Sequence, residues 1–170
     1  VLNPHTFLTT EAVNVRLTSK LLPETRLGMD NVRFGWDVPY EEEFAVAAAT
    51  FCSPYLALAF PRRCEFYDRY LTLRDVSPED LVKWKDALTF FLKKLTWKYK
   101  KPLVLKSPGH TCRIRLLLEM FPDARFVHIY RNPYMVFQSM RKMISVGIRF
   151  WDLQSVRSVD WDERFVRQYR

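Results

Sequence analysis

Glycine is scarce in this sequence: Gly28, Gly35, Gly109 and Gly147 are the four among 170 residues, and none stands in a glycine-rich turn leading into a helix. The Walker A and G-x-G-x-x-G fingerprints, whose backbone N–H groups cradle phosphates, are therefore both absent. Cysteine is as rare. Cys52, Cys64 and Cys112 are odd in number and nowhere spaced as C-x-x-C, which argues for reduced thiols and against a disulfide framework or a zinc site. Three scattered histidines make no ligand cluster, so no metal is expected. No apolar run approaches the roughly 20 residues of a membrane span. The opening VLNPHTFLTT has no basic region followed by an apolar core, so no signal peptide is read there and a cytoplasmic location is the expectation. No repeat, low-complexity tract or linker divides the chain, and residues 1–170 are read as a single domain.

Apolar residues, by contrast, are plentiful. A hydrophobic share of 48%, with 15% aromatics, places the chain among globular proteins with a sizeable core. The net charge of +8 implies attraction to anions without choosing among nucleic acid, an acidic lipid surface and a multiply charged nucleotide. A nucleic-acid binder wants Lys and Arg interleaved with exposed aromatics. Here the aromatics fall mostly on helix core stripes, and nucleic acid ranks last.

Periodicity predicts several helices. Residues 1–27 read as a short loop and a helix, with Thr9 or Thr10 before Glu11 as its N-cap. Loop chemistry follows in RLGMDNVRFGWDVPYEEEF. Glu41–Cys52 is helix-like with acids in its first turn, and SPYLALAFP is a second short helical piece between prolines. Ser77-Pro78-Glu79-Asp80 is a sharper start, with Ser at the N-cap, Pro at N1 and an acid at N3. The helix it opens carries Leu81, Trp84, Leu88, Phe91, Leu92 and Leu95 as one buried stripe. Its Lys83, Lys93, Lys94 and Lys98 are read as a solvated face.

The stretch from Lys101 to Ser139 is the most informative. Two short apolar runs, Leu103–Leu105 and Ala124–Tyr130, are each followed by a polar, helix-starting turn: Lys106-Ser107-Pro108 and Arg131-Asn132-Pro133. Such runs predict strands buried on both faces. Between them lies a helix with Ile114, Leu117, Leu118 and Phe121 on one face, and after Arg131 a long helix from Pro133 to about Phe150. The pattern predicts a βαβ unit in a parallel sheet. Ligands of such sheets sit outside the carboxyl ends of the strands, where Lys106 and Arg131 fall, and two cations leading into two helix N-termini make an anion site.

Arg131 and Ser139, eight residues apart in RNPYMVFQS with LVLKSPGH upstream, resemble the 3′-phosphate motif of sulfotransferases that use 3′-phosphoadenosine 5′-phosphosulfate (PAPS). The wording is similar to the broad family common in bacteria. The resemblance implies an α/β fold: a three-layer parallel sheet with helices on both faces, related to P-loop nucleotide kinases. It implies sulfuryl transfer from PAPS to a hydroxyl or amine of a small-molecule or glycan acceptor. Arg131 and Ser139 would hold the donor's terminal phosphate, the Arg fork giving two parallel charge-assisted bonds. Lys106 matches the place of a catalytic lysine that meets charge on the sulfuryl oxygens. His110 could orient the acceptor. Glu41-Glu42-Glu43, after Pro39, is similar to the family's P-x-E-[DE]-E-F segment and offers a base. Glu43 is the preferred candidate because Phe44 and Ala45 follow it, and Glu41 and Glu42 stay open. Trp36, Tyr40, Phe51 and Tyr55 could line an acceptor pocket. Each residue also has a plain structural reading: ion-paired Arg, self-bonded helical Ser, surface Lys, core His and aromatics, and acids complementing a helix dipole.

The chain departs from the family in having no P-R-[ST]-G-T-[ST] loop for the 5′-phosphosulfate and no segment to cover the nucleotide. The expectation is a truncated domain. A non-catalytic nucleotide- or anion-binding module is the first alternative, and a basic nucleic-acid-binding protein the second.

Overall fold

The structure, a computed structural model, describes residues 5–21, 33, 35, 38–151, 153–154 and 159–169. Its helices are α1 (Phe7–Thr18), α2 (Glu43–Thr50), α3 (Leu56–Ala59), α4 (Cys64–Asp68), α5 (Pro78–Tyr99), α6 (Ile114–Met120), α7 (Pro133–Trp151) and α8 (Trp161–Tyr169). Short 3-10 turns occupy Ser19–Leu21, Pro61–Arg63 and Pro108–Cys112. No helix among the described residues is long and apolar enough to cross a membrane.

The longest helix, α5, is the post on which the core is built. Ser77 stands before it in extended conformation, and its Oγ accepts the Asp80 N–H at 3.1 Å, with Pro78 as the first helical residue. That satisfies one of the donors every helix start leaves open. The helix ends at Lys100, left-handed at φ 49°, whose N–H bonds the Thr96 carbonyl at 2.8 Å. Pro102 then prevents continuation. Trp84, Leu88 and Phe91 are buried along one face, as the spacing predicts. Against them pack Val46 of α2, Leu117 of α6, and Tyr70 and Leu73 from the turn after α4. α1 joins through Phe7, whose ring lies 5.8 Å from that of Phe91. It begins earlier than the Thr9–Thr10 cap expected from sequence, because burying Phe7 draws it into the first turn. A second cluster is formed by Ile144 of α7 and Phe165 of α8, with Leu58 of α3 against them. The Arg164–Asp68 ion pair, at 2.5 Å, ties α8 to α4.

The parallel sheet is a correction. Among the described residues there is no β-strand and no sheet, so the expected three-layer α/β architecture gives way to a helical one. Leu103–Leu105 and Ala124–Tyr130 form no regular structure and are largely open to solvent: Val104 is 96% exposed, Val127 88%, and Ile129 and Tyr130 are exposed as well, while Leu103, Leu105 and Ala124 are half-buried. The physical reason is that a strand exists only as part of a ladder. An apolar run shows that a segment could be buried, while its partner must come from elsewhere. The helix between the runs shows the same deficit: Leu117 is buried, but Ile114 and Leu118 of the expected buried face are exposed.

Ser77→Ala removes the cap of α5 and is expected to lower unfolding free energy by about 1 kcal/mol, read as a shift of the urea midpoint at unchanged slope.

Candidate active site

Three consecutive carboxylates begin the site. Glu43 is the first residue of α2, Glu42 precedes it with helical backbone angles, and the Glu41 carbonyl accepts the Phe44 N–H. Consecutive residues of a helical turn point about 100° apart, so the three acids fan into three directions. Facing them is the segment from Lys106 to Arg113, extended at Ser107 and then wound into the 3-10 turn Pro108–Cys112. Its basic side chains stand four and three residues apart, and each meets a different acid.

The inner contact is Arg113 with Glu43, whose side chains are 0% and 1% exposed. Arg113 Nη1 donates to Glu43 Oε2 at 2.6 Å and Nη2 to Oε1 at 3.3 Å. The same guanidinium donates to the carbonyls of Leu71 at 3.0 Å and Tyr70 at 2.5 Å and lies 4.8 Å from the centre of the Trp84 ring. A buried ion pair holds best where the remaining protons are also bonded, and these two carbonyls take two of the three that Glu43 leaves. The middle contact is His110 with Glu42: Nε2 lies 2.5 Å from Oε1, with side-chain exposures of 14% and 5%. The distance is that of an ion pair, yet neither atom has a well-aligned hydrogen bond, and His110 Nδ1 and Ser107 Oγ beside it are buried without one. Burial works to raise the Glu42 pKa, but contact with His110, the Glu42 backbone, the His110 charge and Ser107 outweigh it and hold the carboxyl below its ordinary value. The outer contact is Lys106 with Glu41, where Nζ meets Oε1 and the lysine is 78% exposed against 20% for the acid. The other Glu41 oxygen, Oε2, accepts the Tyr55 hydroxyl. Burial first, and then Glu41, push the Tyr55 phenol well above its ordinary value, so it remains a donor.

The structure thus brings Lys106, His110 and Glu43 of the sequence candidates into one cluster. Arg131 and Ser139 are exposed, one just before α7 and the other in its second turn. They are not joined to that cluster among the described residues, where α7 packs on α3 and α8. The first-turn N–H groups of α7 are not left for an anion, because Asn132 Oδ1 accepts those of Tyr134 at 2.9 Å and Met135 at 3.4 Å. Of the aromatic candidates, Tyr40 and Phe51 are exposed, Tyr55 holds Glu41, and Trp36 lies outside the described residues. Sequence reasoning missed Arg113 and the register of acids against basic side chains. The signal was there: three adjacent acids, and Lys106, His110 and Arg113 at helix-like spacing.

A protein-family model described as the sulfotransferase family matches residues 22–170. Among curated proteins, the chain is 36% identical over 168 residues to the omega-hydroxy-beta-dihydromenaquinone-9 sulfotransferase of Mycobacterium bovis, and equally to that of Mycobacterium tuberculosis. The match takes in 99% of this chain and 43% of each relative, so the chain spans less than half the length of the curated relatives it matches. No solved structure matches significantly.

Two outcomes follow from the burial of these contacts. Arg113→Met leaves Glu43 buried without a counter-charge and is expected to cost about 3–5 kcal/mol. Lys106→Met, breaking an exposed pair, should cost under about 1 kcal/mol, and equilibrium unfolding of both variants checks the contrast. Because the folded state depresses the Glu42 pKa, its contribution to stability is complete above the ordinary value of 4.5 and is lost as pH falls below it. Glu42→Gln should therefore flatten the acid limb of the Tm-against-pH curve.

Proposed function

We infer the function from one premise: this chain belongs to the sulfotransferase family. The reading is transfer of a sulfuryl group from PAPS to a hydroxyl acceptor. The observation that carries it is the pair of half-buried His110 and buried Glu42, set four residues from an exposed lysine and holding polar atoms without partners. Buried polar atoms in a native structure are nearly always paired, so His110 Nδ1 marks a place where a substrate hydroxyl completes the bonding.

The chemistry parallels phosphoryl transfer, in which positioning and cation placement do most of the work. With Nε2 turned to Glu42, His110 presents Nδ1 as the acceptor of a proton. The acceptor oxygen attacks sulfur, and its proton passes to Nδ1. The bond from sulfur to the bridging oxygen of the donor breaks, and 3′-phosphoadenosine 5′-phosphate leaves. Glu42, ionised because its pKa is depressed, stabilises the imidazolium, as the carboxylate of a catalytic triad does. Lys106 meets the charge that grows on the sulfuryl and bridging oxygens. Arg131 and Ser139 hold the 3′-phosphate. Glu43, with both oxygens on Arg113, takes in this reading the task of holding the cluster in register. A hydroxyl acceptor is favoured over an amine because the mycobacterial relatives are named for an omega-hydroxy substrate.

Calorimetric titration of the intact protein with 3′-phosphoadenosine 5′-phosphate, beside 5′-AMP, tests the donor site. Binding that needs the 3′-phosphate and is lost in Arg131→Ala is the expected result, and equal affinity for 5′-AMP would sink the assignment. With turnover established, His110→Ala should lower kcat by roughly 100-fold or more, read well below the Tm of the variant because the buried Glu42 loses its partner. Binding without any transfer would point instead to a non-catalytic nucleotide-binding module.

A further inference from the structure

The outer contact of the cluster differs in kind from the other two. Both partners of Arg113–Glu43 are buried, Glu42 is buried against a half-buried His110, and Lys106 is 78% exposed with Glu41 at only 20%. The acid is the fixed half. Its Oε2 accepts the Tyr55 hydroxyl, and the Tyr55 ring rests 5.0 Å from that of Phe44, the residue that follows Glu43 in α2. Lysine is the movable half, a compact charge on a flexible four-carbon stem. An ion pair with one exposed partner is worth little in water, so a second anion at the same ammonium can replace the first.

We propose that Glu41 competes with the sulfuryl donor for Lys106, and that donor binding includes withdrawal of the ammonium from this carboxylate. The proposal rests on the sulfotransferase reading and adds to it a device that no pairing in the sequence announces. Without donor, Glu41 parks Lys106 at the mouth of the cluster, and Tyr55 keeps the carboxylate in place. With donor, the sulfuryl oxygens take over the ammonium, while Glu41 keeps its bond from Tyr55 and turns Oε1 to water. Glu41 and Tyr55 are thus positioning residues acting through Lys106. The cost of the exchange appears as weaker donor binding than an unopposed lysine would give.

The test is a double-mutant cycle on PAPS affinity in the intact protein, using wild type, Glu41→Gln, Lys106→Met and the double variant. Glu41→Gln is expected to bind PAPS roughly two- to five-fold more tightly, the range set by one exposed ion pair. In the Lys106→Met background the same substitution should change nothing, since there is no ammonium to compete for. Unaltered or weaker binding in Glu41→Gln overturns the proposal. So does a gain that persists without Lys106, which would be general relief of repulsion between an acid and an anionic donor. If wild type fails to bind PAPS at all, the sulfotransferase reading falls and the competition falls with it. PAPS binding with an additive cycle removes the competition alone. A Tm within a degree or two of wild type in Glu41→Gln keeps misfolding out of the comparison.

Discussion

The buried pair of Glu43 and Arg113 is the constraint on which the rest of the site depends. It joins the start of α2 to the segment that carries Lys106 and His110, and the carbonyls of Tyr70 and Leu71 anchor it to the turn after α4. A buried ion pair need not stabilise more than apolar residues of the same volume would. Its use here is registry. The three acids are adjacent in sequence, so fixing the inner one fixes where the other two can point. The three basic side chains follow from the winding of one short turn. With Arg113 seated on Glu43, His110 lies against Glu42 and Lys106 against Glu41.

That arrangement also explains what was legible in the sequence and what was not. The start and buried face of α5 were legible, because Ser77, Pro78 and Asp80 spell its start and the Trp84–Leu88–Phe91 spacing spells its buried face, whereas Lys94 and Lys98 of the face read as solvated bond the His5 carbonyl and Glu11. Family membership was legible from Arg131, Ser139 and the K-S-P-G-H wording, since a family leaves its residues in linear order. The sheet was misread because the Val104 and Val127–Tyr130 runs report only the capacity for burial, and a ladder needs a second strand that no local pattern can supply. Arg113 was overlooked for a related reason. An arginine beside an amphipathic helix is ordinarily read as its solvated side, and only the partner 70 residues away turns it inward. The acidic run was recognised as chemically interesting, but the preference for Glu43 as its base rested on the apolar residues that follow it, and both oxygens of that carboxylate are taken up by Arg113. Burial made the three acids unequal.

This inequality is the last step in deriving function from form. The three contacts run from dry to wet, and the strength of a charge interaction falls along the same direction as the effective dielectric rises. In the dry interior a pair is locked, since losing either partner strands a charge. At the wet edge a pair is exchangeable, because water compensates whichever partner leaves. Between them lies the His110–Glu42 contact, with the acid buried and the histidine half-buried. A locked pair alone offers nothing to solvent, and an exchangeable one alone fixes no side chain in position. Three adjacent acids and three basic side chains at turn spacing give both properties at once, because a chain entering the interior passes through every intermediate degree of burial on the way.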